Sequence, residues 1–107
     1  MTSDSSTLIL TALAGGSQHG YGISTDVEQI SKRRVRLRAG TLHAALDRLR
    51  ADGLIDVDRE EIVDNRLRRY YRLTPTGEKR LSEEADRLRS RAHVATSRLD
   101  VSGGLAT

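Results

Sequence analysis

Three apolar segments at helical spacing, a pair of strictly alternating segments after them, and a heptad-spaced C-terminal stretch together predict a mainly α chain with a small β-hairpin. That order of elements describes a winged helix-turn-helix followed by one long helix. With 107 residues the chain can bury one modest core and falls below the size at which chains divide.

The first helix is expected over residues 7–14, where the dense apolar run "TLILTALA" meets Gly15 and Gly16 as a stop. After "SQHG", the segment from Tyr21 places Ile23, Val27 and Ile30 on one helical face with Asp26 and Glu28 outward. In "RAGTLHAALDRL", residues 38–49, Leu42, Ala45, Leu46 and Leu49 recur at the spacing of one buried face. This third helix extends to Asp52 and is stopped by Gly53, and Thr41, His43, Ala44, Asp47, Arg48 and Arg50 point away from its core side.

The period then changes. Ile55 and Val57 alternate with Asp56 and Asp58, while Leu67, Arg69, Tyr71 and Leu73 share one face of a second strand and Arg68, Tyr70 and Arg72 the other. Asp64 and Asn65 tolerate tight turns, so a hairpin tip is expected at residues 63–66. Tyr71 should be core and Tyr70 exposed beside arginines, where packing in the hairpin is a commoner role than stacking on a base.

Thr74 as N-cap, Pro75 at the first helical position and Glu78 in the first turn start the last helix. Along it Leu81, Ala85, Leu88, Ala92, Ala95 and Leu99 alternate steps of four and three, a heptad seam. A single winged domain has little to cover a stripe about 30 Å long at 1.5 Å per residue, so a second copy of the helix is the expected partner. The expected division is a flexible N-terminus (1–6), a winged DNA-binding domain (7–74), a dimerisation helix (75–100) and a flexible tail (101–107).

Net charge is only +3, but the charge is clustered. Five of the seven residues in "KRRVRLR" (32–38) are basic, "RLRRYYR" (66–72) holds four arginines, and acids gather in residues 56–64. Both basic runs flank the third helix, which in this fold enters the major groove of double-stranded DNA. Thr41, His43 and Ala44 are the candidate base readers, with Asp47 and Arg48 behind them. Tyr21, Arg38, Arg66 and Arg68 are the candidate phosphate contacts. Taken alone, the outer face of the third helix reads more readily as a solvated surface, and Arg68 and Arg72 are placed to pair with Asp56 and Asp58 across the hairpin.

Other chemistries find no support. His19, His43 and His93 are too dispersed for a metal motif, "GGSQHGYG" lacks the lysine and hydroxyl of a phosphate loop, and no catalytic set can be assembled, so neither enzyme nor cofactor is expected. The chain has no cysteine, no signal-like N-terminus and no apolar run of membrane-spanning length, for which a cytoplasmic protein is the expectation. The competing class is a winged-helix protein-interaction module that turns its arginines to an acidic protein surface.

"HGYGI" (19–23), "GTLHAALDRLRADGLI" (40–55) and "RRYYRLTPTGEKRL" (68–81) stand in an order and spacing that resembles the PadR family of bacterial transcriptional regulators. The resemblance covers residues 7 to 98, and the single C-terminal helix is similar to the short subfamily. It implies a homodimeric repressor and, as in relatives of this size, a small-molecule effector held between the dimer helices and the winged domains. Without Trp or Phe, such a site would be aliphatic or lined by Tyr21 and arginine side chains. Where the family usually reads Ser-Pro-Gly-Thr-Leu-Tyr-Pro, this chain has Arg38, Ala39, Gly40, Thr41, Leu42, His43 and Ala44. Loss of the cap serine and first-turn proline should weaken the start of the helix by about 1 kcal/mol unless Thr41 or a phosphate substitutes. The departures imply the same fold with a different operator.

Overall fold

The computed structural model describes residues 4–106 and contains four helices and three strands among them. Helix α1 (Asp4–Ala14) begins three residues earlier than its apolar run suggests. Asp4 suits the positive end of the helix and Ser6 is buried, so residues 4–6 are helical rather than part of a flexible N-terminus. Helices α2 (Gly20–Ile30) and α3 (Ala39–Ala51) complete the trihelical unit. Their shared core contains Ile9, Leu10, Ile23, Val27, Leu42 and Leu46, closed from the sheet side by Leu54, Ile55 and Tyr71. Ile30 was expected on the buried face, but it is the last residue of α2 and remains 40% exposed.

The turn from α2 to α3 is closed from within. Arg33 N–H donates to Glu28 O at 2.7 Å and Lys32 N–H to Gln29 O at 3.1 Å, the paired bonds of a Schellman motif. This puts Lys32 and Arg33 at φ of 54° and 68°, the left-handed region in which a side chain is disfavoured. Ser31 Oγ accepts the Val35 N–H at 3.0 Å and fixes the exit of the turn.

Spacing gives no hint of strand β1 (Gln18–His19), which falls within the link before α2. It pairs antiparallel with β3 (Arg66–Leu73), which also pairs with β2 (Ile55–Val63), giving the order β1-β3-β2. Asp64 and Asn65, at φ of 52° and 63°, form the two-residue hairpin tip in the conformation that matches strand twist. A bulge between Val57 and Arg59 leaves Asp58 without a partner, so Val57 sits opposite Tyr71 and Arg59 opposite Tyr70.

Helix α4 (Pro75–Ala106) is fastened to the domain at its first turn. Thr74 Oγ1 accepts the Gly77 N–H at 3.0 Å and donates to Gly53 O at 2.6 Å, while Thr74 N–H donates to Leu54 O at 3.1 Å. Gly77 lies so close to the chain at Leu54 that a Cβ there would be 1.9 Å from Leu54 O. Leu81 packs against the core cluster; beyond it α4 leaves the domain and runs to Ala106, past the point where a frayed tail was expected.

Candidate nucleic-acid interface

Helix α3 is anchored by Leu42, Ala45, Leu46 and Leu49, all nearly inaccessible, so its remaining residues are forced outward. Thr41, His43, Ala44, Asp47 and Arg48 are all exposed. At roughly 100° of rotation per residue, Ala44 and Asp47 lie near the middle of the outward face. His43 turns toward the hairpin, while Thr41 and Arg48 occupy the opposite flank.

The start of α3 is bare. Arg38 holds the N-cap position with extended backbone (φ −72°, ψ 155°) and makes no side-chain cap hydrogen bond. The first N–H to find a helical acceptor is that of Leu42, which donates to Arg38 O at 2.8 Å. Those of Ala39, Gly40 and Thr41 are left to the solvent or a ligand, with the positive end of the helix dipole behind them and the exposed Arg38 beside them. The loss of the cap expected from the sequence is therefore present in the structure.

A groove runs between α3 and the hairpin. His43 and Asp47 line it from α3, Tyr21 from the start of α2, and Arg66, Leu67 and Arg68 from β3. Tyr21 is 80% exposed at this edge. The structure thus brings Tyr21, His43, Arg66 and Arg68 together, sets Arg38 at the end of α3, and leaves Thr41 and Arg48 on the far side of the helix.

The hairpin is less basic than its arginines suggest, because five acids match five arginines over residues 55–73. Arg72 bonds Asp56 at 2.8 Å and Asp58 at 3.3 Å, Arg59 bonds Glu61 at 2.9 Å and Asp58 at 3.2 Å, and Arg69 reaches Glu60 at 3.5 Å. Arg59 holds the Glu61 carboxyl below its ordinary range through that hydrogen bond, with Arg68 adding to the effect. Arg72 therefore pairs as expected, but Arg68 does not: the register puts it opposite Glu61, which Arg59 already engages. Arg66 and Arg68 form no ion pair among the described residues. In the 32–38 run only Arg36 does, with Glu28 at 3.4 Å.

Tyr70, expected to be exposed, is half-buried. Its ring meets His19 edge-on at 5.3 Å and 85°, and the Arg59 guanidinium carbon lies 4.0 Å from its centroid. It is a packed hairpin aromatic and not a free stacking platform. The capping role of His19 escaped the sequence reading. Its Nδ1 accepts the Gly22 N–H at 3.2 Å, capping α2, while its backbone pairs with Tyr70. Burial lowers the imidazole pKa, Arg68 lowers it further, and Glu61 opposes both. The only signal for this role was a histidine standing immediately before a helix start.

Helix α4 carries a second surface. Leu81 is committed to its own domain and Ala85 lines an open groove at the base of the helix, whereas Leu88 is 47% exposed, Leu99 is 71% exposed, and Ala92 and Ala95 lie open between them. The stripe free to meet another chain therefore begins near Ala85, later than the heptad pattern suggested. Among the described residues no cluster of histidine and carboxylate groups could hold a metal ion, and no helix is long and apolar enough to cross a membrane.

The model of the PadR-like transcriptional regulator family matches residues 9–83. Transcriptional regulator Rv3488 of Mycobacterium tuberculosis is 40% identical over 76 residues, which are 71% of this chain and 67% of that protein. A PadR family transcription regulator from Clostridium difficile superimposes with a TM-score of 0.74 at 26% identity, covering 91% of this chain and 99% of the other. Bacillus subtilis PadR, whose structure was solved in complex with operator DNA, shares the fold with a TM-score of 0.66 at 22% identity, over 75% of this chain and 45% of its own. A three-helix unit, a paired hairpin and a clasped C-terminal helix, matched over most of the length, place this chain in the PadR-like family of transcriptional regulators.

Proposed function

We propose that the chain is a homodimeric repressor that binds a pseudo-palindromic operator in double-stranded DNA, acts in the cytoplasm and is released by a small-molecule effector. The observation that carries the proposal is the pairing of an uncapped, outward-facing α3 with a hairpin whose Arg66 and Arg68, in no ion pair among the described residues, flank the same groove. Major-groove entry by α3 puts Thr41, His43 and Ala44 against base edges, with Tyr21, Arg38, Arg66 and Arg68 on phosphates and Arg48 at the flank. A phosphate at the start of α3 would supply the acceptors that a serine cap would otherwise provide, and Arg38 then becomes favourable there.

The exposed stripe from Ala85 to Leu99 supports pairing of two α4 helices, with Leu81 at its inner end. Two recognition helices related by such a two-fold axis meet successive major grooves roughly 34 to 36 Å apart. For the effector, the groove at the base of α4 is lined by Leu13, Leu73, Leu81 and Ala85 together with the polar Ser17, Arg72, Glu78 and Ser82. Tyr21 lines the groove between α3 and the hairpin instead, which supports the DNA reading of this residue over the effector reading.

Gel-shift titrations against random and genomic duplexes at two salt concentrations test the proposal. Retarded complexes that weaken steeply with salt, and a genomic subset that survives at the higher salt, are expected. Absence of binding at low salt would overturn it in favour of a protein-interaction module.

A further inference from the structure

Asp47 is an anomaly on this surface. It lies near the centre of the outward face of α3, lines the groove beside Arg66 and Arg68, and yet makes no hydrogen bond or ion pair among the described residues. A carboxylate carried toward a polyanion is repelled unless it meets a donor there. Major-groove edges present few donors. Guanine shows two acceptors, thymine an acceptor and a methyl group, and adenine an amino group beside the N7 acceptor; cytosine shows its N4 amino group with no acceptor of its own.

The neighbours of Asp47 are suited to short-range reading. Gly40, Ala44 and Ala51 share its face, so little side chain stands between the helix backbone and whatever it approaches. A Cβ at Gly40 would meet no atom within 4 Å, which means that packing within the protein does not demand a glycine there. Aspartate has a single methylene and can touch a base edge only if the helix comes this close.

We infer that Asp47 is a specificity-determining residue that accepts a hydrogen bond from the N4 amino group of a cytosine, so that each operator half-site carries a C·G pair beneath it. The inference rests on the DNA-reading proposal above and deepens it by naming one base. His43, a turn earlier on the hairpin side, then addresses a neighbouring pair.

Selection of bound duplexes from a randomised library, with wild type, D47N and D47A, tests it. Asp47 is exposed, so both variants should fold, and circular dichroism checks this. Wild type should enrich a symmetric motif with an invariant cytosine in each half, and replacing that base should weaken binding roughly 5- to 150-fold. D47N should move the preference at that position to adenine, whose N6 and N7 match a carboxamide, and D47A should flatten it with the rest of the motif retained. One motif shared by all three proteins, with the variants merely binding every sequence more tightly, would overturn the role of Asp47 alone. A wild type that enriches nothing would overturn the DNA-reading proposal and this inference with it.

Discussion

Replacing Gly77 by alanine tests the clasp that fastens α4 to the winged domain. Within a helix this change ordinarily stabilises by up to about 1 kcal/mol, because alanine has the higher propensity. Here the added Cβ would lie 1.9 Å from Leu54 O and 2.9 Å from Leu54 C, both backbone atoms, with Leu73 Cδ2 at 3.2 Å. The helix start has to lift by about 1.5 Å to restore normal contact, and overpacking of this kind costs about 1–3 kcal/mol. The same movement stretches the Thr74 bonds to Leu54 O (3.1 Å) and Gly53 O (2.6 Å). Each is worth about 1 kcal/mol. Net destabilisation of about 2–4 kcal/mol is expected after the propensity gain, which lowers the urea midpoint by about 1–3 M. Unfolding should be followed at one fixed protomer concentration, since in the proposed dimer stability would depend on concentration. Gly40→Ala, whose Cβ meets no atom within 4 Å, is the matched control and should be neutral or slightly stabilising. If Gly77→Ala tracks Gly40→Ala and gains stability, the clasp is not what positions α4.

Arg68→Ala should reduce the slope of log affinity against log salt by about 1 per protomer and weaken all sequences alike, whereas Arg72→Ala, whose guanidinium is already held by Asp56 and Asp58, should leave the slope near wild type in titrations at several salt concentrations. In the proposed dimer Leu88→Glu would set two carboxylates against each other in the seam, and sedimentation should show monomers; an unchanged dimer would rule out that interface. For His19, burial lowers the folded imidazole pKa, so as pH falls through 6.5 the unfolded chain binds the proton first. The contribution of the neutral ring is full above pH 6.5 and is lost as pH drops toward the folded value. His19→Asn, which keeps an N-cap acceptor, should shed that part of the pH dependence in urea titrations from pH 7.5 to 5, and an identical slope would exonerate His19.

The elements legible in the sequence are those whose burial repeats. Leu42, Ala45, Leu46 and Leu49 announce α3, Asp64 and Asn65 announce the hairpin tip, and Thr74 with Pro75 announces α4, because each pattern is local in the chain. β1 is two residues long and has no period to detect, and its existence depends on Tyr70 and Tyr71, some fifty positions away. The bulge at Asp58 is equally silent, yet it sets the register that places Arg59 opposite Tyr70 and Glu61 opposite Arg68, with Glu61 paired to Arg59 of its own strand. Ile30 illustrates the opposite failure, a residue with the right spacing at the end of a helix that outruns its core. The outward residues of α3 could be named from the sequence because a helix has only one outward side, but telling which of them face the hairpin required knowing where it lies.

The clasp at Gly77 also makes α4 a lever. In the proposed dimer, the tight contact between Gly77 and Leu54 would carry a tilt between the two α4 helices to the α3 helices. Leu88 stands about 17 Å along α4 from Gly77 at 1.5 Å per residue, so a tilt of roughly 10° at the seam displaces the clasp by about 3 Å. That is close to the rise of one base pair. In a seam-paired dimer, a molecule wedged at the base of α4 would need to move nothing within the reading surface to put the two half-sites out of step.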